Sequence, residues 1–330
     1  MDEGCAFTFA AGCGMTTSSV ASGAPLRAAK TNGGDLTRWE YVSFTAAHVL
    51  TACLLAGVSL SGLYKIGRLL GTLEWLIDYK RRRRFVATLQ RALGHKLRAG
   101  QRRRATREFF MRTRCDKLLY LVFDCIPRDK TMTLLSIGNR SILDEAMARE
   151  HGVYLAFSHH GAHHVIAMLM AIKGYKTAGV RDRHEGAIRR YVQDRFDRRY
   201  PEFRRMRVLF ADSYPRDIYR CFKEGYLLGS TMDVSRVRDP NQKTEEVTIF
   251  GEKRLFPSGP IRIAIRCQAP VLQAFIVHEV DFRYRLEIVG MLVDPKEVLD
   301  EDSAVAQAMR TYAANVEKYV RASPILLSRV

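Results

Sequence analysis

Residues 158–164 read SHHGAHH, four histidines in six positions, directly after the apolar run VYLAF. Imidazole titrates close to neutrality, so such a cluster is able to move protons or to hold a metal ion. VYLAF reads as a buried strand and HHVIAMLMAIKG as a helix closed by Gly174, which puts His159 where strand gives way to helix. Open α/β sheets place their sites at that carboxyl edge. There His159 is a candidate general base, with helix N-terminal N–H groups nearby to hold a developing oxyanion. The rival chemistry is metal binding. His159 with His163, or His160 with His164, has the HxxxH spacing that puts two imidazoles on one helical face. A third ligand must then come from His151, His184 or a carboxylate, and nothing in the spacing selects one. That reading makes a metal-dependent hydrolase. In every reading at least two of the four histidines only pack against or cap the helix start.

These residues need a scaffold. The chain has 330 residues, 47% hydrophobic and 27% charged, a globular composition long enough for a real core. After Ser141, strand-like and helix-like runs alternate. Strands are expected in VYLAFS, YKTAGV, RVLFA, YLLGSTMD, EVTIFG, APVLQAFIVHE and YRLEIVG. Helices are expected in EGAIRRYVQDRFDRRY, in PRDIYRCFKEG and over residues 302–321. Such alternation predicts an α/β fold, a mixed or mostly parallel central sheet flanked by helices. The seven cysteines are scattered with no CxxC pair, which speaks against a zinc ribbon or a disulfide framework and for a reducing compartment.

Upstream, residues 1–40 are rich in Ala, Gly, Ser and Thr and predict a disordered segment. Residues 41–79 predict a membrane anchor. Within them Val42–Tyr64 runs 23 residues without Asp, Glu, Lys or Arg, against roughly 20 that cross a bilayer core. A buried helix, or one lying in the interface, is the alternative. From Lys80 to Arg107 there are twelve Lys or Arg and no acid. Phe85, Leu89, Ala92, Leu93 and Leu97 recur there at helical spacing, so a basic amphipathic helix is expected. Next to an apolar segment it suits an anionic membrane surface. The positive-inside rule then puts residues 80–330, the expected catalytic domain, at the cytoplasmic face. The net charge of +18 calls for an acidic partner. No recognised nucleic-acid module accompanies it, so nucleic acid is not the expected one. A further helix is expected over Arg107–Ile126.

With this organisation in view, the chain resembles the lysophospholipid acyltransferases of the lipid A lauroyl/myristoyl transferase type. Members of that family carry an N-terminal membrane segment, basic helices, then a strand and a box of the form H-x-G-x-x-E. SHHGAHH fits the box with His159 as the catalytic histidine and Gly161 as the motif glycine. TAGVR ends in Arg181, CFKEGYLLGSTMD in Asp233, and VTIFGEKRLFPSGPIRIAIRCQAPV matches a later block through Ser258, Gly259 and Pro260. The resemblance runs from about residue 42 to 325 and implies a glycerolipid acyltransferase-like fold at the bacterial inner membrane. It implies transfer of an acyl chain from a carrier thioester, acyl-ACP or acyl-CoA, to a hydroxyl or amine of a lipid-like acceptor, without metal or organic cofactor. Gly161, Arg181, Asp233, Ser258 and Gly259 would bind substrate. One departure stands out: the acid of the box is replaced by His164, giving HX4H. That carboxylate orients the base and stabilises its imidazolium. Either His164 orients His159 without charge, or a carboxylate such as Asp182 or Asp233 takes over, or the chain is an inactive lipid- or carrier-binding homologue.

Overall fold

A run such as VYLAF has no polar face to offer solvent, so it must have strands on both sides and helices over both faces. In the computed structural model, which describes residues 36–94, 97–159, 161–181, 187–210, 215–233 and 242–326, it does. The seven-stranded sheet is built from β1 (Leu135–Gly138), β2 (Val153–Phe157), β3 (Thr177–Arg181), β4 (Arg207–Phe210), β5 (Leu227–Thr231), β8 (Val271–His278) and β9 (Tyr284–Val293). The spatial order is β1-β9-β8-β2-β5-β3-β4, and a separate hairpin pairs β6 (Thr244–Ile249) with β7 (Glu252–Pro257). β2 is central, parallel to β5 on one side and to β8 on the other. β9 runs antiparallel to β8, so the sheet is mixed, as expected.

All five residues of β2 are buried, and their alternation divides the core. Val153, Leu155 and Phe157 join a cluster with Val165, Ile166 and Leu169 of α7 (His163–Ile172). Tyr154 and Ala156 join the opposite cluster with Ile261 and Ala264 of α10 (Gly259–Arg266) and Val305, Tyr312 and Val316 of α11 (Glu301–Ala322). The remaining helices around the sheet are α5 (Arg128–Thr133), α6 (Arg140–Met147), α8 (Ala187–Arg199) and α9 (Pro215–Lys223). The strands β1 and β7 add to those expected from the sequence. β1 is four residues at a sheet edge, and β7 reads EKRLFP, too charged to stand out.

Ahead of α5 and the sheet come α1 (Arg38–Gly57), α2 (Leu60–Ile77), α3 (Tyr79–Leu93) and α4 (Ala99–Val122). Of the segment expected to be disordered, residues 1–35 lie outside the described residues, and α1 begins at Arg38 behind a capping box of Thr37 and Glu40. The uncharged run Val42–Tyr64 is not one rod. It breaks where Val58 turns extended and the Ser59 hydroxyl accepts from Gly62 N–H, capping α2. The basic run is likewise two helices, because α3 ends at Gly94 with φ +61°. α2 crosses α4 closely: a Cβ added at Gly71 would lie 2.5 Å from the Met111 Cα.

Candidate active site

The end of β2 is fixed first through its last carbonyl. Phe157 C=O accepts from Met232 N–H at 2.9 Å, which prolongs the β2–β5 ladder, and from the Tyr312 hydroxyl of α11 at 2.8 Å. Asp233 follows Met232 and therefore faces the residues that follow Phe157. Its carboxylate closes on His159 from both ends: the His159 backbone N–H donates to Oδ2 at 2.7 Å, and Nδ1 lies 2.7 Å from Oδ1. A carboxylate only accepts, so the Nδ1 proton is fixed there and the basic lone pair falls on Nε2. Thr231 Oγ1 lies 3.5 Å from that Nε2. The two side chains are 14% and 9% exposed, enough shielding to strengthen the pair while leaving the ring an opening to solvent. Burial, seconded by the Asp233 charge, drives the Tyr312 hydroxyl well above its usual range, so it stays a neutral donor under this junction.

Gly161 earns its place by geometry. Its φ is +90°, and a Cβ there would collide with the Ile276 carbonyl oxygen of β8. A glycine is what lets the turn after His159 lie flat against the neighbouring strand before α7 begins. The structure thus brings His159, Gly161 and Asp233 together at the carboxyl edge of the sheet. Arg181 closes β3, two places from β2 beyond β5, and its side chain is outside the described residues, as are those of His163 and His164 and the whole of His160, Asp182 and His184. Ser258 and Gly259 form the β7-to-α10 junction. Ser258 is fully buried, its N–H donating to Lys243 C=O at 3.0 Å and its Oγ accepting from Arg262 Nε at 3.5 Å. Arg262 in turn pairs with Glu245, Glu301 and Asp302.

His151 stands ahead of β2 and so at the opposite edge of the sheet from His159, a strand length of about 17 Å away. It is no partner for a metal held by the cluster. Among the described residues, His48, Asp124 and Cys125 do bring donor atoms within 4.8 Å of one another. The Arg195 guanidinium already holds Asp124 Oδ2 there at 2.9 Å, a fixed positive charge that opposes a cation. Thr231, Met232 and Tyr312 are the members of the site that the sequence did not announce. For the first two the sequence signal is the stretch STMD, in which the aspartate stands out and the threonine does not.

A mixed α/β sheet thus carries a histidine–carboxylate pair at its carboxyl edge, an arrangement that fixes the tautomer and orientation of an imidazole. Residues 38–325 match the model of the bacterial lipid A biosynthesis acyltransferases. The chain belongs to that family; it is a lipid acyltransferase. It is similar to the crystal structure of the 1-acyl-sn-glycerophosphate acyltransferase from Thermotoga maritima, with 15% identity over 78% of this chain and 98% of that chain, at a TM-score of 0.37. No curated protein is similar enough to this chain to count as a relative.

Proposed function

We propose that His159, oriented by Asp233, is the general base that transfers a fatty acyl chain from a carrier thioester to a hydroxyl or amine of a membrane lipid. Nε2 takes the proton of the acceptor, the freed oxygen or nitrogen attacks the thioester carbonyl, and the tetrahedral oxyanion collapses with cleavage of the C–S bond. The proton held by His159 then passes to the departing thiolate, so the base is restored. Asp233 supplies the negative charge that His164 does not, and stabilises the imidazolium formed on the way. The 2.7 Å contact between His159 Nδ1 and Asp233 Oδ1 is the observation that carries this reading. Gly161 brings the turn close to β8, while Arg181, Ser258 and Gly259 are assigned to substrate on the family resemblance.

The donor is acyl-ACP or acyl-CoA, both anionic, which the +18 charge suits. The acceptor is reached at a membrane surface. α1 exposes Trp39, Val42, Val49 and Leu50, and α2 exposes Leu69, Leu73, Leu76 and Ile77, an apolar area beside the basic α3. The other side of α1 is tied to the body, with buried His48 held 3.2 Å from Asp124. That favours α1 and α2 lying in the interface, at the cytoplasmic face where the basic residues meet anionic lipid. Purified protein given acyl-ACP or acyl-CoA with membrane lipid extract should release thiol and form a new ester or amide, unaffected by chelators. Thiol release without an acylated lipid, or full loss of activity on chelation, would overturn the assignment.

A further inference from the structure

A cleft of about 530 Å³ opens between α2, α4 and the end of β8. Its walls include Tyr64 and Arg68 from α2, Arg104, Glu108 and Arg112 from α4, and His278, the last residue of β8. Arg104, Glu108 and Arg112 recur every four residues and so share one face of α4. Glu108 fixes two of the guanidiniums. Arg68 donates to both its oxygens, at 2.8 and 3.1 Å, and Arg112 Nε donates to Oε1 at 3.2 Å. Burial works against ionisation of Glu108, but the Arg68 hydrogen bonds override it and hold the carboxyl below its ordinary range. One negative charge therefore organises two positive ones and leaves an excess. The third guanidinium, Arg104, is exposed on the cleft wall and has no ion pair among the described residues. Glu279 also touches the cleft, with Arg285 Nε 3.4 Å from its Oε1.

One donor on the wall is left over as well: Arg112 Nη1 is buried and has no hydrogen-bond partner among the described residues. His278 Nε2 lies 3.0 and 3.2 Å from the Asp116 carboxylate, which only accepts, so the proton sits on Nε2 and His278 shapes the wall without donating to it. Buried polar atoms without partners are costly, and guanidinium forks match the oxygens of a phosphate. Two positions relate the cleft to the rest of the molecule. His278 lies two residues beyond Ile276, the residue against which Gly161 rests, about 7 Å further along the strand. The cleft therefore opens on the same sheet edge as His159. And α2, which supplies Arg68, also carries the exposed Leu69, Leu70, Leu73 and Leu76.

We propose that this cleft holds the phosphate group of the acceptor lipid, with Arg68, Arg104 and Arg112 as its ligands and the acyl chains lying along the apolar side of α2. The proposal rests on the reading of the protein as acting on a membrane lipid, and it adds the place in the fold where the phosphate of that lipid is held. Binding is measured on the His159→Ala protein, so that turnover does not intrude. Vesicles of phosphate-free digalactosyldiacylglycerol doped with phosphatidic acid are compared with the same vesicles doped with oleate to the same surface charge. The expected result is tighter binding to phosphatidic acid, with Arg104→Gln weakening it about tenfold and leaving oleate vesicles unaffected. Arg83→Gln, on exposed basic α3, should weaken both alike. Equal binding to the two vesicles, or an Arg104→Gln loss shared equally between them, would overturn the proposal. Displacement of the phosphatidic acid vesicles by coenzyme A would also overturn it, because the cleft would then belong to the donor's phosphates. Phosphate-selective binding without acyl transfer by the parent protein would leave the cleft standing and remove the enzymatic assignment instead.

Discussion

Asp233→Asn separates charge from shape at the site. The substitution keeps the volume of the side chain and removes the charge that faces His159 across two 2.7 Å contacts. When the base takes up its proton, imidazolium and carboxylate form an ion pair whose side chains are 14% and 9% exposed. Unit charges about 4 Å apart at an effective dielectric near 20 interact by about 4 kcal/mol. At about 1.36 kcal/mol per decade that is about a thousandfold in kcat. The amide adds a second penalty, since its NH2 is able to donate to Nδ1 and select the wrong tautomer, which takes the expected loss toward ten-thousandfold. The assay follows thiol release from an acyl thioester together with the acylated lipid product, and circular dichroism and the melting temperature report on folding. A folded Asp233→Asn protein with kcat within about threefold of the parent would refute the argument, because the transition state would then not feel the carboxylate.

Three further outcomes follow from particular contacts. Gly161→Ala forces a Cβ onto the Ile276 carbonyl oxygen at a φ of +90°, so about 3 kcal/mol of destabilisation is expected, read as a lower melting temperature together with lost transfer; an unchanged melting temperature would contradict it. His164→Glu restores the box acid where Asp233 already occupies Nδ1 of His159, so kcat should change by less than about threefold; a large gain would show that position 164 still orients the base. Arg149 donates to both oxygens of Asp294 at 2.8 and 2.9 Å, and these bonds outweigh burial and hold the carboxyl below its usual range. A depressed folded value gives stability that is present above the unfolded value of about 3.9 and lost as pH falls through the folded one. Arg149→Gln should therefore lower the melting temperature at neutral pH, with the gap to the parent closing in acid; a constant gap would contradict the linkage.

Much of the scaffold is legible because its signals are local. VYLAF is uniformly apolar and becomes the central strand, and the alternating runs that follow become the sheet and its helices. The break within the uncharged N-terminal run is legible only in hindsight, in the Gly57 and Ser59 that end one helix and cap the next. Length and hydropathy averaged over that run conceal it. The site is half legible. The box identifies His159 and Gly161, and its missing acid draws attention to position 164. Asp233 is 74 residues away in sequence, and only the pairing of β2 with β5, prolonged by Met232 N–H onto Phe157 C=O, carries it to His159. The arginine cleft is not legible at all. Arg68 lies in the expected membrane anchor, Arg104 in the basic helix, Arg112 in the helix after it and His278 in an apolar strand, and only the close crossing of α2 on α4 and the length of β8 bring them to one place.

Acyl transfer to a membrane lipid by the His159–Asp233 pair is open to mass spectrometry of the lipids of cells producing either the parent protein or His159→Ala at equal abundance. Lipid species heavier by one acyl chain are expected with the parent and not with the variant, a loss on the order of a hundred- to ten-thousandfold in transfer. Identical lipid profiles from the two proteins, with the acylated species present in both, would contradict it.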